Sequence, residues 1–210
     1  MAEIGTGRVA RRKEQTRGAL LRAAQGFLAE GTSAVSIQEI TDAADVGFGS
    51  FYNHFASKDA LFAEAVATAL EEWAALRDVA VADIVDPVER FAVSFRLAGR
   101  IEHSRPEMLR VVRVILNAGT HVLRHDRGLR PRALADISAG MEAGRFDVPD
   151  PEWGLMLVGG SLMALMELLA SDPDADDGPV SDWFAERLLL ALGVEATEAH
   201  RICAGPLPRL

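Results

Sequence analysis

Residues 36–55, SIQEITDAADVGFGSFYNHF, decide how the chain is read. Ser36 and Glu39 stand at capping-box spacing: the cap hydroxyl accepts from a backbone N–H one turn in, while the carboxylate accepts from the N–H of Ser36. Ile37, Ile40, Ala43 and Ala44 follow at helical intervals and give a helix of about two turns one apolar face. Asp45-Val46-Gly47 interrupts it, since Asp tolerates a left-handed backbone and Gly carries no side chain. A second short helix, about residues 48–54, turns Phe51 and Phe55 to a core and leaves Tyr52, Asn53 and His54 for other contacts. Two short helices joined by a tight turn are the geometry that lays the second helix in a DNA major groove.

Around this stretch Gly31, Ser36, Ile40, Ala43, Val46, Phe51, Tyr52, His54, Phe55, Ser57, Lys58, Leu61 and Phe62 occur in an order and spacing that resembles the DNA-binding domain of the TetR family of bacterial transcriptional repressors. The resemblance covers about residues 12–62; the remainder agrees only in length and helical character. It implies an all-α fold: a basic, flexible arm over residues 1–11, a three-helix head over 12–57, and a larger ligand-binding and dimerisation domain over 58–210. Two positions depart from the pattern. Asp45 stands where glycine is common, and Gly47 where serine often precedes the third helix, so one phosphate contact is missing.

The resemblance also implies site residues. The start of the second short helix enters the groove, which makes Gly47, Phe48, Gly49, Ser50 and Asn53 candidates for base edges. Gly49 lets the backbone approach closely. Phe48 either meets a thymine methyl or packs on the first helix, and Asn53 either pairs with adenine or binds phosphate. Tyr52, His54 and Lys58 match positions that touch the phosphate backbone and hold register; for His54 the alternative is a hydrogen bond within the head. Ser36, Gln38 and Thr41 on the preceding helix, with Arg12 and Lys13, are further candidates.

A net charge of −9 looks wrong for a DNA binder until it is divided. Residues 1–60 hold seven basic and seven acidic side chains, so the whole excess of acid lies beyond them. Within residues 1–22, Arg8, Arg11, Arg12, Lys13, Arg17 and Arg22 face only Glu3 and Glu14. Positive charge is therefore beside the recognition element, while the acidic remainder discourages indiscriminate nucleic-acid binding. Hydrophobic residues make up 49% of the 210 and aromatics 6%, with no sustained β-branched alternation, which favours helices. One cysteine, Cys203, excludes an internal disulfide and a Cys-rich zinc site. With no signal peptide in view, the cytoplasm is the expected compartment.

Beyond the head, helix signals recur. A first helix over about residues 12–30 ends at Gly31, and Ser57 caps a fourth that runs to about residue 85. Asp86-Pro87 opens the next, with Phe91, Phe95 and Leu97 or Ala98 inward. Further helices are predicted over 104–116, over 121–144 with a break near 128–131, over 152–170 and over 180–192. An acidic loop spans 171–179, and a last turn or two fits 195–203. Nine or ten helices result.

Residues 154–170, GLMLVGGSLMALMELLA, are apolar nearly all round. A membrane span is one reading, but Glu167 interrupts it and acidic sequence flanks it. Burial on one side by its own domain and on the other by a second subunit fits better. The implied dimer interface comprises Gly159, Gly160 and Met163 here and Trp183, Leu188, Leu189 and Leu192 on the following helix. Trp73, Phe91, Phe95, Met108, Val112, Met141, Trp153, Met156 and Met163 are either ordinary core or the lining of an effector cavity, with His103, His121 and His125 as candidate polar anchors. His121 and His125 stand four apart, as metal ligands do, yet no acidic or cysteine partner supports them, and surface histidines fit better. Cys203 reads as inert.

Three function classes remain. The first is a homodimeric repressor that binds a pseudo-palindromic duplex and is released by a small, largely apolar effector, or an activator of the same fold. The second is an enzyme, for which no nucleophile motif, phosphate loop, cofactor motif or metal-ligand set is present. The third is a helical interaction protein that does not use its DNA-binding surface.

Overall fold

A computed structural model describes residues 3–100, 126–172 and 174–208, with backbone alone for residues 3–8. Every ordered element among the described residues is a helix: α1 (Glu3–Ala29), α2 (Ile37–Ala43), α3 (Phe48–Phe51), α4 (Lys58–Ala80), α5 (Pro87–Gly99), α6 (Leu129–Glu142), α7 (Pro151–Ser171), α8 (Asp177–Ala191) and α9 (Ala196–Cys203). The helix starts follow from their caps. Ser57 Oγ accepts from the Ala60 N–H at 3.1 Å, and Asp86 Oδ1 accepts from Val88 and Glu89 at 2.8 and 3.2 Å, with Pro87 pre-set at the first helical position. Asp150 and Pro151 repeat that arrangement at α7.

The head core is built from Leu20 and Ala24 of α1, Ile40 of α2, Phe51 of α3, Phe55, and Leu61 and Ala65 at the start of α4. A larger core joins α5, α6, α7, α8 and α9 through Phe91, Phe95, Ile137, Leu155, Leu165 and Leu189. Each such side chain, once buried, contributes about 1.5–3 kcal/mol. Helix α4 belongs to both: past Ala65, its Val66, Leu70 and Trp73 pack with Ala98 and Met166.

Several boundaries differ from expectation. Helix α1 begins at Glu3 rather than near residue 12, so the residues expected as an arm form the first turns of a helix. Helix α3 is a single turn, and α4 stops at Ala80. Helix α8 begins at Asp177, which shortens the acidic loop; Asp176 caps it, and Pro179 lies in the first turn, where no N–H is needed. The break near residue 128 is present: Gly128 adopts φ 83°, and a Cβ there would meet Leu70 Cβ at 2.6 Å. The predicted helix over 104–116, and with it His103, Met108, Val112, His121 and His125, lies outside the described residues.

Helix α7 has the length and hydropathy of a membrane span. One face is packed through Leu155, Val158, Leu165, Met166 and Leu169, while Trp153, Met156, Leu157 and Leu168 are exposed. The interface residues expected on α8 divide differently. Leu188, Leu189 and Leu192 are 4%, 0% and 0% exposed within their own subunit, so they are core and not an interface; Trp183 is 58% exposed. Gly159 and Met163 turn inward and line a cavity, whereas Gly160 faces open space.

Candidate nucleic-acid interface and effector cavity

In the head the capping box is complete. The Ser36 N–H donates to Glu39 Oε2 at 2.7 Å, and the Glu39 N–H donates to Ser36 Oγ at 3.2 Å. The Ser36 amide and hydroxyl bonds hold the Glu39 carboxyl below its ordinary range. Asp45 takes φ 54°, the left-handed turn that its side chain permits. The turn leaves Gly47, Phe48, Gly49, Tyr52 and Asn53 exposed and Ser50 half-buried. Phe48 is 46% exposed, its ring edge-on to Tyr52 at 6.0 Å, and does not bury itself on α1.

Three expected contacts have other employment. Thr41 is fully buried and its hydroxyl donates to the Gln38 carbonyl at 2.9 Å, so it is a packing residue and no surface contact. Lys58 Nζ donates to the carbonyls of Ser33 and Val35 at 3.2 and 2.9 Å, tying the α1–α2 loop to α4. Gln38 is exposed but donates to Asp42. Between α1 and the turn lies an open polar recess of 550 Å³, edged by Arg12, Gln15, Thr16, Asp45, Gly47 and Ser50. Gln15 and Thr16 were absent from the expectation; they stand three and four residues after Arg12, and their spacing already put them on its face of α1.

His54 is half-buried, and its Nδ1 has no hydrogen-bond partner among the described residues. Burial, then the charges of Lys13 and Arg17, lower its pKa below the ordinary 6.5, with Glu14 opposing. The unfolded chain protonates this ring near 6.5, so stability present above that pH is lost as pH falls below it. Thermal melts followed by circular dichroism between pH 7.5 and 5.5 should show a falling midpoint, and His54→Gln should flatten that slope.

The second site lies between α4, α5, α6 and α7 as two lobes. One, of 80 Å³, is largely apolar, with Leu70, Trp73, Leu155, Met163 and Met166 in its wall beside Arg127 and Arg130. The other, of 60 Å³, places Phe91 and Phe95 opposite Arg77, Ser94, Arg132 and Asp136. Leu129, Ala133, Val158 and Leu162 border both. Met141 packs at the edge of the core but borders neither, and Trp153 and Met156, at 66% and 44% exposed, face away; they are not cavity residues.

Charges in the second lobe are paired. The Asp136 carboxylate, 5% exposed, accepts from Arg77 Nη2 and from Arg90 Nε at 2.6 Å. Arg77 Nε also donates to Ser94 Oγ at 2.9 Å. Arg132 reaches Asp78 at 2.6 Å and Glu71 at 2.9 Å. Arg132 and the Gly128 N–H hold the Glu71 carboxyl below its ordinary range. Three arginines thus meet three carboxylates. Asp136 has accepted two bonds of the roughly four that a carboxylate can take, so it can still receive a hydroxyl proton. Sequence reasoning missed Arg77, Arg132 and Asp136; the one local signal was Arg132 four residues before Asp136 on one helix.

Among the described residues no group of three or more His, Cys, Asp or Glu side chains is arranged to hold a metal. Burial pushes the Cys203 thiol up to about 11.

With both sites in view, the chain can be compared with known proteins. Residues 19–65 match the family of bacterial regulatory proteins of the tetR type, and residues 86–205 match the tetracyclin repressor-like C-terminal domain. No curated protein matches the chain. Among solved structures, RolR in complex with its ligand resorcinol is 32% identical over 95% of this chain and 98% of its own, with a TM-score of 0.66. RolR without ligand is 31% identical over 91% and 98%, with a TM-score of 0.70. SmeT, repressor of the Stenotrophomonas maltophilia multidrug efflux pump SmeDEF, shares the fold at 19% identity over 84% and 91%, with a TM-score of 0.65. A helix-turn-helix head, a helical second domain and agreement over nearly the full length of RolR lead to one conclusion: the chain belongs to the TetR family of bacterial transcriptional regulators.

Proposed function

We propose that the chain is a cytoplasmic, homodimeric repressor that binds a pseudo-palindromic duplex and is released by a small hydroxylated aromatic compound. The observation that carries the effector class is Asp136, a buried carboxylate with acceptor capacity to spare, set opposite Phe91 and Phe95. A neutral arene carrying a hydroxyl donates to Asp136 and leaves the paired charges undisturbed. An aromatic acid would add a fourth negative charge to a balanced set. RolR, solved with the dihydroxyarene resorcinol, supports the same chemistry.

The α7 stripe of Trp153, Leu157, Gly160 and Leu168, flanked by Met156 and by Trp183 of α8, supports the homodimer, because apolar surface so concentrated is a mark of association. Two heads held by that interface present two recognition helices to half-sites about 34–36 Å, or a multiple, apart. Helix α4 joins the sites: its first turn anchors the head through Lys58, and its later turns carry Trp73 and Arg77 into the cavity. Release requires that the effector favour one tilt of α4; tight binding without such a preference changes nothing.

The test is a gel-shift titration on a duplex selected from a random pool. Tyr52, exposed and in ring-edge contact with Phe48 and Phe51, is a cleaner probe than Lys58, whose loss also unties the α1–α2 loop. Tyr52→Ala should weaken binding about tenfold or more, the loss of a charge-assisted contact in each half-site, with dimerisation intact. Affinity should also fall steeply with salt. An undiminished Tyr52→Ala variant with a flat salt response would exclude groove binding by this face.

A further inference from the structure

Resting on the hydroxyarene reading above, we infer that the natural effector is larger than resorcinol: a phenol or resorcinol bearing an unbranched apolar substituent, with the ring in the polar lobe and the substituent in the lobe beside Trp73. The two lobes have opposite chemistry. Among the described residues Arg77, Arg132 and Asp136 border the Phe91–Phe95 lobe, whereas the other lobe is apolar apart from Arg127 and Arg130. Both of these charges are already met: Arg127 pairs with Glu64 at 3.1 Å and Arg130 with Glu152 at 2.7 Å. A water-sized group needs roughly 10–15 Å³ of such space. Sixty Å³ therefore suits one small ring with its substituent oxygens, and a further 80 Å³ is more than a bare dihydroxybenzene occupies.

The lobes meet across Leu129 and Ala133 of α6 and Val158 and Leu162 of α7, each pair one turn apart. Ala133 is the smallest of the four, and the substituent is placed to run past its methyl. Beyond it the wall is Trp73, Met163 and Met166. Thioethers are adaptable fillers that conform to a flexible apolar chain better than branched side chains do. Apart from Arg127 and Arg130, whose guanidinium groups are paired with Glu64 and Glu152, the described wall of this lobe is apolar, so the substituent is hydrocarbon.

Calorimetric titration of the protein with resorcinol and its 5-methyl, 5-propyl and 5-pentyl derivatives tests this. Each methylene buried should tighten binding about fourfold until the lobe is full. The longer members should also perturb Trp73 fluorescence, read as the difference between the parent and Trp73→Phe, and resorcinol should not. In Met163→Trp, which fills the apolar lobe, the series should flatten to within about threefold. The gradient in the parent protein stands as a test even if that variant does not fold. Resorcinol binding with a flat or reversed series, or a full gradient persisting in Met163→Trp, overturns the assignment of the second lobe and leaves the hydroxyarene reading intact. Binding by no member of the series overturns both.

Discussion

Replacing Asp136 by alanine should destabilise the protein by about 3–5 kcal/mol, the usual consequence of removing one partner from a buried ion cluster. The carboxylate is 5% exposed and serves Arg77, itself 10% exposed, and Arg90 at 25%. Without it Arg77 keeps Ser94 and the more exposed Asp78, but its Nη2 faces the cavity uncompensated. Asp136→Asn retains one acceptor and should cost less. Urea denaturation followed by circular dichroism measures the difference, and a loss under about 1 kcal/mol would show that water or a rearranged side chain takes the carboxylate's place. Asp136→Ala should also lose stabilisation by added resorcinol, because the acceptor for its hydroxyl is gone.

Placing arginine at Leu157 should separate the dimer without unfolding the subunit. Leu157 is 43% exposed in the isolated chain, so the fold tolerates a charge there, in contrast to the fully buried Leu189. Across a twofold axis the substitution appears twice, and two like charges brought together without water cost several kcal/mol. Dimerisation should weaken by a factor on the order of a thousand. Sedimentation at micromolar concentration would show monomer with an unchanged circular dichroism spectrum. Duplex affinity should fall in step, since each half-site would then be recognised alone.

What could be read in advance divides along physical lines. Local chemistry was legible: Ser36 with Glu39, the left-handed Asp45, Ser57, and the Asp-Pro starts of α5 and α7 are interactions between residues two to four apart. Which apolar face meets which neighbour was not. Periodicity marks Leu188, Leu189 and Leu192 as apolar but cannot say that α5 and α9 cover them within one subunit. In α7, apolar all round, the sequence offers two faces and no means of choosing; the fold turns Met163 inward and Trp153 outward. Thr41 looked like a surface hydroxyl because threonine does not declare its burial. The polar lobe was hidden for a third reason, since Arg77 and Asp136 are 59 residues apart and only the tertiary fold brings them together.

The decisive measurement is sedimentation of the protein with a pool-selected duplex, with and without a 5-alkylresorcinol. Two subunits on one inverted repeat, dissociating when the resorcinol is added while the free protein stays dimeric, is the expected result. A single subunit per duplex, or a complex that survives saturating ligand, would contradict a two-headed repressor governed through α4.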